Sequence, residues 1–317
     1  MLNVCEVLGT EYPIIQGAMA RIADAQLAAA VSEGGGLGII ASGGETAEWL
    51  REQIAKARSL TQKPFGVNLM LLAPNIDELV DVVCEEKVHV VTTGAGNPGK
   101  YMARLKESGV KVIPVVASVA LAVRMEREGA DAVVAEGTEA GGHIGEITTM
   151  ALTPQVADAV SIPVLCAGGV ADGRGVAAAF MLGAKGVQVG TRFLSAYECG
   201  VAQAYKDAIL AAKDTSTTAT GRSTGHPVRC LRNKLTRKVL KLEATGGSED
   251  EINELCTGTL AAAVRDGDVQ NGSVMSGQVA GLVRKEQPAA EIIRELFSEG
   301  ARIYEDRADI CLKSNRQ

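Results

Sequence analysis

Residues 163–191 read Pro163-Val-Leu-Cys-Ala-Gly-Gly-Val-Ala-Asp-Gly-Arg-Gly-Val-Ala-Ala-Ala-Phe-Met-Leu-Gly-Ala-Lys-Gly-Val-Gln-Val-Gly-Thr191. A short apolar run, Pro163 to Ala167, leads through a Gly-Gly turn into an Ala-rich stretch, Gly173 to Leu182, and then into a second apolar run, Gly186 to Val189. Short apolar runs bounded by turn residues suit strands buried on both faces, and their alternation with helical stretches is the pattern of repeated βα units.

The same rhythm extends back to the start of the chain. Strands are expected at Pro13 to Gly17, Leu37 to Ala41, Gly66 to Met70, Val88 to Thr92, Val112 to Val116 and Ala132 to Ala135, with helices at Ala23 to Gly34, Ala47 to Leu60, Asp77 to Glu86, Lys100 to Ser108, Ala117 to Gly129 and Thr153 to Ala159. Several of these helices end in or just before Gly, as a helix C-cap favours. With a last helix placed after Ser195, the pattern implies an α/β fold, a (β/α)8 TIM barrel, in preference to a doubly wound open sheet, which more often has fewer strands.

Beyond Thr191 the texture changes. Thr215 to Arg222 is polar and turn-like or extended, Lys234 to Glu243 is charged, and helical patterning returns at Glu251 to Arg265 and Ala289 to Ile303 with no further strand rhythm. The expected division is a barrel over residues 1–199 and a smaller, mainly helical substrate or lid domain over residues 200–317.

Composition narrows the function. The 317 residues are 46% hydrophobic but only 3% aromatic, with 36 glycines, which calls for a core of Ala, Val, Ile and Leu. A net charge of −6 with scattered cations leaves no electrostatic footprint for nucleic acid. No apolar run is long enough to span a bilayer, and the N-terminus has no signal-peptide pattern, so a cytoplasmic location is expected. Seven widely spaced cysteines, Cys5, Cys84, Cys166, Cys199, Cys230, Cys256 and Cys311, read as free thiols, with no metal spacing among Cys and His.

On a barrel the chemistry sits where strands end and βα loops begin. The residues there are Gln16-Gly17-Ala18-Met19, Ser42 to Gly44, Asn68, Thr93 to Gly96, Glu136 to Gly145, Gly168-Gly169 and Gly190-Thr191. The glycine turns after the seventh and eighth strands fall where barrels commonly bind phosphate, and both lead towards helices whose N-terminal N–H groups favour an anion. No Walker lysine motif and no early G-x-G-x-x-G is present. His143, flanked by glycines, is the candidate for proton transfer or for polarising a carbonyl. His89 and His226 read as structural or peripheral. The Asn68 amide can both donate and accept towards a heteroaromatic ring. Of Glu136 and Glu139, one is expected to orient the loop.

These motifs, taken with Pro13-Ile-Ile-Gln-Gly-Ala-Met19, Gly34-Gly-Gly-Leu-Gly-Ile-Ile40, Pro64-Phe-Gly-Val-Asn-Leu-Met70, Thr92-Thr-Gly-Ala-Gly-Asn-Pro98, Glu139-Ala-Gly-Gly-His-Ile-Gly145 and Gly272-Ser-Val-Met-Ser-Gly-Gln278, resemble the FabK class of FMN-dependent enoyl-acyl carrier protein reductases, within the nitronate monooxygenase superfamily. The resemblance implies FMN at the barrel mouth, held by Gln16, Gly17, Ala18, Met19, Asn68, Glu136, Gly141, Gly142, Gly168, Gly169, Gln188, Gly190 and Thr191, with Met275, Ser276 and Gln278 reaching in from the second region. His143 matches the catalytic histidine. The resemblance further implies NADH or NADPH as hydride donor, a homodimer, and in some members a monovalent cation. It also implies an enoyl-acyl carrier protein as partner; such a carrier is acidic, and the densest basic stretch, Arg222, Arg229, Arg232, Lys234, Arg237, Lys238 and Lys241, reads either as its docking patch or as an ordinary solvated face. The Ala-Gly-Gly-His motif alone does not separate reduction from nitronate oxidation.

Overall fold

The computed structural model describes residues 3–312, with side-chain surroundings as far as residue 306; Met1, Leu2 and the Cys311 thiol lie outside that description. Its strands, in chain order, are β1 (Ile14–Gln16), β2 (Gly38–Ala41), β3 (Phe65–Met70), β4 (Val90–Gly94), β5 (Lys111–Val116), β6 (Val133–Glu136), β7 (Gly142–His143), β8 (Val164–Ala167), β9 (Gly186–Val189), β10 (Thr217–Thr220) and β11 (Val228–Leu231). Eight of them pair in parallel in the order β1-β9-β8-β6-β5-β4-β3-β2. The ring closes between β1 and β2 through the parallel bridge of Ile15 with Leu37. Across this seam Leu37 N donates to Ile14 O and Gln16 N to Leu37 O, each at 2.9 Å. The chain folds as a TIM barrel.

Alternation along the strands sorts residues into two cores. Ile15, Leu37, Ile39, Val90, Ile113, Val134 and Leu165 meet inside the barrel, and Val4, Val7 and Leu8 of a short helix, Val4–Leu8, plug its lower end. Intervening residues such as Val67, Val91 and Val133 face the surrounding helices. Each fully buried Val, Leu or Ile contributes about 1.5–3 kcal/mol. Continuing the alternation upward places Asn68, Thr92, Glu136 and Gln188 on the inner face, so the topmost interior layer is polar.

The helix that completes the ring is not the one after Ser195. Gln203–Leu210 lies over the 3-10 turn Thr191–Ser195, and the eighth position is taken by the long last helix, Ala289–Leu312, packed on Gly173–Met181 and Ala25–Glu33. Small residues permit the approach: a Cβ on Gly34 would sit 2.8 Å from Ala290 Cα, and one on Gly173 would sit 2.4 Å from Gly300 N. Residues between the 3-10 turn and this helix therefore form an excursion from the barrel, and the last helix returns to it.

That excursion is not wholly helical. Antiparallel β10 and β11 continue onto β7, so the loop after β6 is a strand of this small sheet. The charged stretch is a helix, Lys234–Ala244, started by a capping box in which Asn233 and Thr236 exchange side-chain and backbone hydrogen bonds. No described helix is long and apolar enough to cross a membrane.

Candidate active site

Three loops meet over the polar top of the barrel. Gly141 packs against the backbone of Ser276 and Gly277, where a Cβ on Gly141 would lie 2.6 Å from Ser276 C. Gln278 N donates to Glu139 O at 2.9 Å. Gly277 N donates to Thr191 Oγ1 at 2.8 Å. The Met275 to Gln278 segment is held from behind by Tyr205, whose hydroxyl donates to Met275 O at 2.8 Å, and by the bridge of Met275 with Cys230 of β11.

The histidine loop is fixed at its base by Glu139. Its carboxylate accepts from Thr149 N at 3.0 and 2.9 Å and from Thr149 Oγ1 at 2.9 Å. Thr149 N–H opens the helix Thr149–Ala159, a turn earlier than the expected Thr153, and Pro154 sits inside it. Glu136 is left without such partners; desolvation by burial raises its carboxyl to about 7. Arg229 of β11, buried, donates from Nε to Thr138 O at 3.1 Å and so ties the loop to the small sheet.

His143 stands at the rim with its outer edge exposed. Desolvation by the surrounding loops, and secondarily the charge of His226, hold its imidazole below the ordinary histidine range. His226, read from the sequence as structural or peripheral, therefore belongs to the neighbourhood of the site. Nothing in residue spacing shows this, because it follows from the β7–β11 pairing.

The glycine turns leave amides available to an anion, but not at the helix that follows Gly168-Gly169. Asp172 accepts from the N–H groups of Arg174 and Gly175, and Glu299 accepts from Gly173 N at 2.8 Å, so protein carboxylates already cap Gly173–Met181. The free donors lie earlier. Among the described residues, the N–H groups of Gly169, Gly190 and Thr191 have no protein acceptor. Gly168 and Gly169 hold φ of 86° and 81°, left-handed backbone that favours glycine. Arg192 does not supply a counter-charge, since its guanidinium turns inward to Ser195 and Gln287.

The remaining candidates divide. Met19, Gly17, Gln188 and Gly190 converge: a Cβ on Gly190 would lie 3.9 Å from Met19 Sδ, and one on Gly17 3.4 Å from Gln188 Cγ. Ala18 lies between them in partial burial beside the barrel core. Met275 Sδ would be 3.6 Å from a Cβ on Gly142. Asn68 Nδ2 donates to Thr92 Oγ1 at 3.0 Å on the inner face. Gln16 is spent on the barrel seam, where its Oε1 accepts from Ile39 N at 3.0 Å and its Nε2 donates to Gly17 O.

FMN is the cofactor expected of the implied family, and the residues fit it. The amide cradle suits a phosphate. The polar interior layer and the thioethers of Met19 and Met275 suit a flat heteroaromatic ring. Ser276 Oγ is buried without a protein partner, as a polar group awaiting a ligand would be.

The nitronate monooxygenase family profile matches residues 3–79 and 72–299. The chain belongs to the nitronate monooxygenase family. Its fold is similar to that of FabK from Thermotoga maritima, at TM-score 0.95 and 49% identity, covering 98% of this chain and 99% of that one. A Mycobacterium tuberculosis protein named (3aS,4S,5R,7aS)-5-hydroxy-7a-methyl-1-oxo-octahydro-1H-indene-4-carboxyl-CoA dehydrogenase is 41% identical over 74% of this chain and 67% of its own length. A probable nitronate monooxygenase of Staphylococcus aureus is 33% identical over 94% of this chain and 96% of its own. As a member of this nitronate monooxygenase and FabK oxidoreductase superfamily, the chain is an enzyme.

Proposed function

We propose that this enzyme reduces the double bond of a trans-2-enoyl thioester carried on an acyl carrier protein, using hydride from NADH or NADPH. The observation that supports it best is the 49% identity to FabK over nearly the whole of both chains. The carboxyl-CoA name of the Mycobacterium tuberculosis relative agrees with a thioester substrate.

FMN, when bound, supplies the two-electron relay between nicotinamide and enoyl group. The chain's residues position and polarise. Gly169, Gly190 and Thr191 would offer amides to the FMN phosphate, and Asn68, Gln188 and Glu136 on the inner face would supply the polar groups that meet the cofactor. Hydride addition at C3 pushes charge onto the thioester oxygen and leaves C2 in need of a proton. His143 is the proton-bearing group at the rim for either task.

The docking surface for the acidic carrier is smaller than the basic stretch implied. Arg229 is buried, Arg222 pairs with Glu146, and Arg232 Nε donates to Thr215 O and Thr217 O at 3.0 and 3.1 Å. Lys234, Arg237, Lys238 and Lys241 remain exposed along one face of Lys234–Ala244.

A second reading, oxidation of alkyl nitronates by O2 with His143 as base, draws support from the family profile and the Staphylococcus aureus relative. One experiment separates the two: an anaerobic spectrum of the purified protein, with NADH or NADPH added and then crotonyl thioester. Bleaching of the flavin band followed by its recovery on adding the thioester is expected. Recovery only on admitting O2, with nitronate consumed in the absence of nicotinamide, would replace the first reading by the second.

A further inference from the structure

The small sheet does more than support the lid. Antiparallel pairing sets Val228 directly opposite His143. The pairing runs one residue further, because Ile144 N donates to Pro227 O at 3.0 Å. Side chains alternate along a strand, so His226, two residues before Val228, returns to the face that carries His143. Diagonal neighbours of this kind lie about 7–8 Å apart, within reach of aromatic side chains.

The loop that presents His226 is built rather than loose. Gly221, at φ 78°, accepts on its carbonyl from His226 N at 3.2 Å and from Thr224 Oγ1 at 2.9 Å. A Cβ on Gly221 would meet His226 O at 2.7 Å, so the turn closes tightly. Both imidazoles reach the exposed rim.

We infer that His226 is a positioning residue for His143, its imidazole set diagonally across the β7–β11 pairing on the face that carries the His143 ring. Two imidazolium ions on one face of a two-stranded pairing repel, so protonating either ring opposes protonating the other.

The charges around the pair are otherwise accounted for. Arg222 is matched by Glu146, and Glu243 accepts from Ser223 N and Oγ at 3.0 and 3.1 Å. Arg229 lies on the opposite face of β11, bound to Thr138 O and Thr217 Oγ1, with Glu139 engaged by Thr149 behind it. The effect of His226 on His143 already noted has the sign this arrangement requires. His143 then meets its substrate as a neutral N–H donor to the thioester oxygen or as a base, and only its cation, formed as the pH falls, can hand a proton to C2. The inference rests on His143 being the working histidine of the proposed reaction, but not on which substrate is used.

The chain has three histidines, which makes the test direct. Imidazole proton resonances of the full-length protein, as purified with its flavin, are followed against pH, with His89→Gln and His143→Gln used for assignment. His226→Gln removes the second titrating ring and is expected to move the His143 midpoint to higher pH. His226→Lys places a permanent cation there and is expected to move it to lower pH. A loop that merely shifts does not give opposite signs for the two variants. A His143 midpoint unmoved in both, or moved the same way in both, overturns the pair. Because the titration needs no substrate, failure of enoyl reduction with these shifts present would count against the proposed reaction and leave the pair standing.

Discussion

Thr191 Oγ1 accepts the Gly277 amide at 2.8 Å, joining the second residue past β9 to the segment that crosses the barrel mouth. Gly277 leaves no room for another arrangement, since a Cβ there would lie 2.7 Å from Glu139 O. Thr191→Val keeps the shape and strands a buried N–H, an error that costs about 1–3 kcal/mol. The expected result is a lower urea midpoint with unchanged m-value and faster release of flavin on dilution. Thr191→Ser, which keeps the hydroxyl, should restore most of both.

The two glycines after β8 should respond differently. A methyl on Gly168 would meet Gly137 O and Thr149 Oγ1 at 2.9 Å, whereas one on Gly169 finds only Glu139 Cβ at 3.9 Å. Both carry left-handed φ, worth about 1–2 kcal/mol of strain for alanine. Gly169→Ala is expected to fold with that loss alone and to bind FMN more weakly. Gly168→Ala should lose distinctly more stability, read from thermal unfolding of the two variants side by side.

Glu136 makes stability depend on pH. Its carboxyl, raised by burial from 4.5 to about 7, binds a proton more tightly folded than unfolded. The contribution is therefore fully present below the unfolded value and is lost as pH rises through about 7. Glu136→Gln, uncharged throughout, should gain on the wild type across that window, by at most about 3 kcal/mol above it. Equal pH dependence of the two unfolding free energies would show that Glu136 is solvated.

His143→Ala should separate binding from chemistry. The side chain stands at the rim, while the amide cradle lies at Gly169, Gly190 and Thr191. Flavin content is expected to stay at the wild-type level while turnover of crotonyl thioester falls by about 10²-fold or more. Full turnover would exclude His143 from the reaction.

Much of the barrel was legible because each unit announces itself locally. Gly186 to Val189 and Ala47 to Leu60 match their elements residue for residue, and the other barrel strands are displaced by only one or two residues at either end. What escaped depends on distant partners. β11 is four residues of mixed polarity whose neighbour, Gly142–His143, lies far back in the chain. Lys234–Ala244 hid its apolar stripe, Leu235, Val239 and Leu242, among cations, although that spacing and the Asn233 cap were available signals. The identity of the eighth helix was not available locally, because Ala289–Leu312 is recognised only by where it packs. For the site, residue types at strand ends pointed to the mouth. They could not show that Gln16 serves the seam, that Asp172 and Glu299 close one helix terminus to an anion, or that Arg229 faces inward.

The return of the last helix to the barrel also sets an order of events during synthesis. Ala25–Glu33 and Gly173–Met181 emerge from the ribosome long before Ala289–Leu312, the element that covers both. Until then the nascent barrel exposes the apolar surface that Ile292, Ile293 and Leu296 later bury. At about 5–20 residues per second, that face waits for the whole mouth-covering excursion to be translated. Productive folding of this enzyme is thus coupled to completion of its eighth helix, and a ribosome stalled within the excursion holds all eight barrel strands with one apolar flank uncovered and prone to aggregate.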